Sequence, residues 1–488
     1  MRTTSPGETP AQPSLLWAPR AWIGGAWQER VVLGIDAQGH WSEITTDQPC
    51  PAHAQALSAP VLPGLVNAHS HAFQRAFVGL AERRDVEKDD FWSWRDRMYG
   101  VALHITPAEL CRVATGLYAE LLAGGYTQVC EFHYLHHAPD GARYAEPAAM
   151  AMALVQAAQA TGIGLTVLPV LYERAGFTQP NLRADQRRFA TTVDDVLELQ
   201  QAVHGAAPRT TAGVAVHSLR AALPASILKL AERSTSGPLH IHVAEQSAEV
   251  DDCLTATGLR PVEWLTRHVP LDARWQLVHA THTTPAEIDA VAHSGAGVVL
   301  CPGTEANLGD GLPDLPHWLA AGVPLSVGSD SQVTRNWPEE MRWAEYGQRL
   351  LLRKRNVAAD PAKQPATAAR LFDRMLHGGA AAAGFASWGL VQGARADLLV
   401  LNTQDTALLG LPSSHHLDGL VFAGPAQPFS AVMAAGQWVW SQARPSRLCA
   451  ELESTPPVSS AHAQHATIQS IRSALHPACF ISLRRRGR

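Results

Sequence analysis

From residue 62 onward, short apolar, β-branched runs alternate with longer stretches rich in Ala, Leu and Glu. Leu62–His69, Tyr126–Tyr134, Gly164–Leu171, Ala212–Ser218, Leu239–Ala244, Trp275–Ala280, Gly297–Pro302 and Val323–Ser329 read as strands. Pro107–Ala123, Glu146–Thr161, Val193–His204, Ala225–Arg233 and Thr284–His293 read as helices. Near-continuous apolar strands separated by helices predict a parallel sheet covered on both faces. Repetition of about eight such units favours a closed (β/α)8 TIM-like barrel over an open sheet. Both chain ends are β-like as well: Ala21–Gln28, Arg30–Ile35 and Trp41–Thr45 before the barrel, Ala396–Leu401 and Ala431–Trp440 after it. The expected layout is a barrel over residues 61–389 and a small β-sandwich domain composed of 14–60 and 390–450. Residues 1–13 and the Ser/Pro/His-rich tail 451–488 read as disordered.

His, Glu, Asp and Arg gather at the C-terminal ends of the first, second, fourth, fifth, sixth and eighth strand candidates. In a barrel those ends share one mouth, whereas the outer strands of an open sheet lie too far apart to hold one ion. In VLPGLVNAHSHAF, side chains at i and i+2 share a face, so His69 and His71 can present two imidazoles to one cation. LHIHVAEQ carries a second such pair, His240 and His242, between which alternation does not choose. His242 lies nearer the mouth and is read as the third ligand, His240 as a barrel-interior core residue. LVHAT places His279 at the mouth, while His282 falls in the next helix start, where a capping or solvent role is expected. Asp330, in VGSDS, completes a three-nitrogen, one-oxygen set for one divalent metal per subunit. Zinc is the first choice, and iron and manganese also suit such donors. The segment Arg83–Gly100 mixes charge with Trp92 and Trp94 and reads as a loop that could cover the mouth or reach a neighbouring subunit. Arg95 within it is a candidate cation for a substrate carboxylate. Arg349–Arg355 reads as a solvated helix face, and Cys301 as a core residue.

A formal net charge of −5 argues against a nucleic-acid partner. No apolar run reaches the roughly 18–20 residues that span a bilayer, and the first residues lack a signal-like pattern. Seven dispersed cysteines without CxxC spacing suit reduced thiols. A cytoplasmic location is the expectation.

PGLVNAHSH, HVAE, VHAT and VGSD, in that order, resemble the amidohydrolase superfamily over roughly residues 15–445. The pattern is similar to its mononuclear deaminase branch; the third and fourth strands hold no lysine for a bridging carbamate. HSHAFQRAF, EFHYLHH, VHSLRA, HVAEQ and CPGTEANLGDG resemble more closely the formimidoylglutamate deiminases of histidine breakdown. That resemblance implies substrate contacts at Gln74, Tyr134, His217 and Arg220, a small dicarboxylate formimino amino acid as substrate, and a homodimer. A planar guanidinium at Arg220 suits a carboxylate independently of any likeness. The catalytic expectation has His279 as base, Glu245 protonating the imino nitrogen and Asp330 shuttling the proton that releases ammonia. The rival readings are a purine or pterin deaminase or imidazolonepropionase on the same barrel, and a catalytically inactive scaffold barrel.

Overall fold

In the computed structural model, residues 14–82, 84 and 91–442 are described, Trp92 by its backbone alone. The expected disordered ends, 1–13 and 451–488, lie outside these residues, as do 83 and 85–90 of the predicted loop.

Eight parallel strands follow one another around the barrel: Leu65–Ser70, Tyr126–His133, Gly164–Leu171, Val214–Ser218, Leu239–Val243, Trp275–His279, Gly297–Leu300 and Leu325–Val327. A short strand, Thr210–Ala212, pairs beside the third. The ring closes through main-chain bonds at the mouth. Asp330 N–H donates to the carbonyl of His69 (3.0 Å) and His71 N–H to that of Asp330 (3.2 Å). Gly328 permits this approach, since a Cβ there would lie 2.6 Å from that of His69. At the opposite end the chain at Ala382–Ala383 forms the floor. Its carbonyls accept from His240 Nε2 (2.8 Å) and the Thr166 hydroxyl (3.5 Å), both carried on barrel strands.

The helices obey local rules. Pro107–Ala123 and Pro285–Ser294 each begin with Pro in the first turn behind a Thr-x-x-Glu capping box, at Thr106/Glu109 and Thr284/Glu287. The box satisfies amide groups that the first turn would otherwise leave bare.

Strands from both chain ends share one sheet, ordered Gln437–Ser441, Phe429–Ala434, Leu398–Leu401, Val61–Leu62, Leu15–Ile23, Ala26–Ile35 and Trp41–Thr45, with Gln55–Ala56 beside Leu15–Ile23. It covers a separate apolar cluster that includes Leu16, Val31, Leu33, Trp41, Leu398 and Met433.

Several predicted boundaries change. The run at Leu62–His69 is two strands in two sheets, interrupted at Pro63-Gly64, whose carbonyl accepts from Trp388 Nε1 (2.8 Å). Ala21–Gln28 is the tip of a hairpin, because Gly24 and Gly25 at φ 59° and 82° reverse the chain. Ala431–Trp440 turns likewise at Ala435-Gly436. Within the predicted loop Arg83–Gly100, Phe91–Ala102 is helix. Trp337–Leu352 ends where Arg353 takes φ 55°, and its last turn exposes Leu350 and Leu351 beside the charges.

Candidate metal centre

Three strand ends, the first, fifth and eighth, bring four side chains together at the mouth. His69 Nε2 lies 3.1 Å from His71 Nε2 and 3.0 Å from His242 Nε2. Asp330 Oδ1 lies 3.5 Å from His69 Nε2 and 3.4 Å from His71 Nε2. The tautomers follow from the outer nitrogens. His71 Nδ1–H donates to the Phe132 carbonyl (2.9 Å), and His242 Nδ1–H to that of His217 (3.0 Å). His71 Nε2 therefore presents a lone pair toward His69 and Asp330, and His242 Nε2 one toward His69. Burial lowers the basicity of all three rings, His69 to about 3. Such crowding of buried imidazole nitrogens against a carboxylate fits a bound cation; a divalent metal of N/O preference suits the donor set.

His279 stands beside this group, its Nε2 3.8 Å from both Asp330 Oδ2 and Glu245 Oε1. Its Nδ1–H donates to Glu305 Oε1 (3.3 Å), which fixes the ring and leaves Nε2 facing the mouth. Burial opposes a charge on His279, but Glu245, Glu305 and Asp330 together raise its basicity to about 10. Glu245, in turn, is pushed up to about 7 by burial, against the pull of His279. Asp330 goes the other way: burial works to raise it, yet His69 holds it below the usual carboxylate range. The backbone here is strained. Ala244, His279, Ala280 and Asp330 all have φ between 45° and 70°, a region costly for non-glycine residues and concentrated at functional sites.

The other expected residues surround the same mouth. Gln74 Nε2 donates to Tyr134 Oη (3.1 Å), and the Tyr134 ring lies 5.1 Å from His71 and 5.6 Å from His217. Tyr172 packs on His217 at 4.5 Å. The charges of Arg220 and Arg95 both act on His217 and Tyr172. Arg95 also lies over the Tyr99 ring at 5.5 Å. His240 points to the floor. His282 does not cap the helix, since Thr284 does; it is half-buried, and its Nε2–H donates to the Asp310 carbonyl (2.8 Å).

Sequence reasoning passed over two buried carboxylates. Glu305, in the first turn of the helix Pro302–Leu308, holds His279. Glu131, on the outward face of the second strand, accepts from Ala72 N–H (2.5 Å) and Tyr118 Oη–H (3.4 Å). Burial raises Glu131 to about 8 despite these donors. A folded-state value above the ordinary 4.5 means that the folded chain holds this proton more tightly than the unfolded chain. The resulting stabilisation is complete below about pH 4.5 and fades as the pH rises through about 8. Urea unfolding from about pH 5 to 8.5 is expected to show a smaller decline in Glu131→Gln than in the unaltered chain. Parallel declines would mean that Glu131 is ionised in the fold.

A model of the "Amidohydrolase family" matches residues 61–439. The chain belongs to the amidohydrolase family. Among relatives of this amidohydrolase is the formimidoylglutamate deiminase of Pseudomonas aeruginosa, 46% identical over 432 residues, spanning 87% of this chain and 94% of the relative. A 5-methylthioadenosine/S-adenosylhomocysteine deaminase of Natronomonas pharaonis is 29% identical over 348 residues, 70% of this chain and 73% of its own. The crystal structure of an amidohydrolase from Brucella melitensis superposes with a TM-score of 0.86 at 39% identity, covering 94% of this chain and 99% of that one.

Proposed function

We propose that this amidohydrolase hydrolyses the formimino group of N-formimino-L-glutamate, giving N-formyl-L-glutamate and ammonia, as a step of histidine degradation. The observation that carries this reading is the likeness to the Pseudomonas aeruginosa deiminase along most of both chains, which takes in every residue of the mouth described above. His69, His71, His242 and Asp330 hold one divalent cation, zinc by preference. When bound, it supplies the Lewis acidity that brings water within reach of deprotonation near neutral pH.

The chain's own groups handle the protons. His279 Nε2 accepts one from the attacking water, in the neutral form the ring takes once a bound cation offsets the pull of Glu245 and Asp330, while Glu305 keeps the ring aligned. The oxygen adds to the formimino carbon, which becomes tetrahedral. Glu245, titrating near neutrality, gives its proton to the imino nitrogen. Asp330 takes the remaining proton of the added hydroxyl and passes it to that nitrogen. The C–N bond breaks as the formyl carbonyl forms, ammonia leaves, and the proton held by His279 restores Glu245 to its acid form. Arg220, with Arg95, His217, Gln74 and Tyr134, binds the two carboxylates of the substrate. These cations favour an acyclic dicarboxylate over a purine, whose faces call for stacking.

The reading extends to a cytoplasmic homodimer. Cys50, Cys111, Cys130, Cys253 and Cys301 are all free thiols, which suits a reducing compartment, and exposed Trp343, Leu350 and Leu351 offer an apolar surface to a second copy. Among the described residues no helix is long and apolar enough to cross a membrane. The test is a coupled ammonia assay on N-formimino-L-glutamate, with guanine and 5-methylthioadenosine alongside. Release from the first is expected; release from a purine alone would overturn the reading.

A further inference from the structure

The turn that carries Glu245 belongs to a closed circuit of hydrogen bonds joining three loops of the mouth. Gln246 Nε2–H, next in sequence to Glu245, donates to Asp310 Oδ1. The Asp310 carbonyl accepts from His282 Nε2–H (2.8 Å). His282 N–H donates to the Ala244 carbonyl (3.0 Å), and the chain Ala244–Glu245–Gln246 completes the circuit. Asp310 is itself fixed, since its N–H donates to the Glu305 carbonyl (2.9 Å). Gly311 takes φ 117°, a backbone conformation that residues with a side chain rarely adopt.

We propose that Asp310 is a positioning residue for Glu245, holding its turn in register with His279 through Gln246. Several observations support this assignment. The turn needs an external hold, because Ala244 sits at φ 51° and the strand pairing ends at Val243. Glu249 supplies one hold through the Ala244 and Glu245 amides (3.2 and 3.1 Å), but it fixes only the main chain on the near side. Asp310 is buried, at 4% exposure, where a carboxyl group is costly unless it has work to do. Burial, with the charge of Glu245 second, raises its proton affinity, which favours a neutral acceptor for Gln246. The segment from Cys301 to Gly311 thus fixes both proton-transfer partners: Glu305 aligns His279, and Asp310 aligns Glu245.

The proposal rests on the deiminase reading for its assay, and the turnover of the unaltered chain reports on that reading separately. Should the unaltered chain spare formiminoglutamate, the same variants are compared on whichever C–N substrate it does cleave. With metal content and thermal midpoint recorded for each protein, Asp310→Ala is expected to lower kcat about 10–100-fold and leave KM within about threefold, as a small misplacement of a reacting group does. Asp310→Asn keeps a neutral acceptor for Gln246 and is expected to stay within about threefold of the unaltered kcat. Gln246→Leu cuts the same link from its other end and should match Asp310→Ala, which covers the case where Asp310→Ala does not fold. In a Glu245→Gln background, the Asp310→Ala loss should shrink to about twofold or less. An unchanged kcat in both Asp310→Ala and Gln246→Leu, an Asn variant as poor as Ala, or a full loss in the Glu245→Gln background would each overturn the proposal.

Discussion

Replacing Glu245 with Gln is expected to lower kcat about 10²–10⁴-fold, roughly 3–5 kcal/mol of barrier, while the protein keeps its full complement of metal. The size follows from what the carboxyl group does. An amidine nitrogen leaves poorly as an anion, and Glu245 is the buried acid whose proton affinity, near 7, lets it both hold and release a proton at working pH. Metal retention follows from position: the contact of Glu245 within the cluster is with His279 Nε2 at 3.8 Å, outside the three ligand imidazoles. Gln preserves the shape and the main-chain bonds to Glu249, so a loss of rate reports on the proton. The measurement is steady-state ammonia release with metal analysis of the same preparation. Unchanged turnover would remove Glu245 from the mechanism.

Asp330→Ala is expected to act on both metal and rate. Metal affinity should fall at least about 100-fold, and turnover about 10³-fold or more, since the variant leaves three neutral imidazoles and no anion to balance a dication. A ligand bound to the folded chain alone stabilises it by mass action, about 2.7 kcal/mol at a hundredfold excess over the dissociation constant. Chelation should therefore lower the melting temperature of the unaltered protein and leave that of Asp330→Ala unmoved. Equal responses to the chelator would show that the four residues do not form the cation site.

The meeting of His69, His71, His242 and Asp330 was legible because a strand's two-residue period and a barrel's common mouth are strong local signals. Alternation put His69 and His71 on one face, but the lead-in Pro63-Gly64-Leu65 and the later partners were needed to read that pair, and Asp330 with it, as a cation site. The choice of His242 over His240 lies at the limit of that logic. Both imidazoles point inward, and depth alone separates the one near His69 from the one bonded to Ala382 on the floor. Glu305 and Asp310 were beyond it. Their partners, His279 and Gln246, lie 26 and 64 positions away and meet them only through tertiary folding. The hairpin at Ala435-Gly436 was missed for a different reason: Gly436 was the single turn signal in an otherwise apolar run, and Ala435, at φ 49°, is not a residue type that marks a reversal. In the segment from Phe91 to Ala102, charge suggested a loop, whereas the helix buries Met98, Tyr99 and Ala102 against the body of the protein.

The main-chain bonds between His69, His71 and Asp330 lie at the one place where chain-distant strands meet to shut the ring. The last stave to be synthesised therefore brings the carboxylate of the proposed cation site and the last latch in a single residue. An ion that grips both sides of that joint also acts as a clasp, so its departure would loosen the amides of 69–71 and 330 toward hydrogen exchange before those of any other strand.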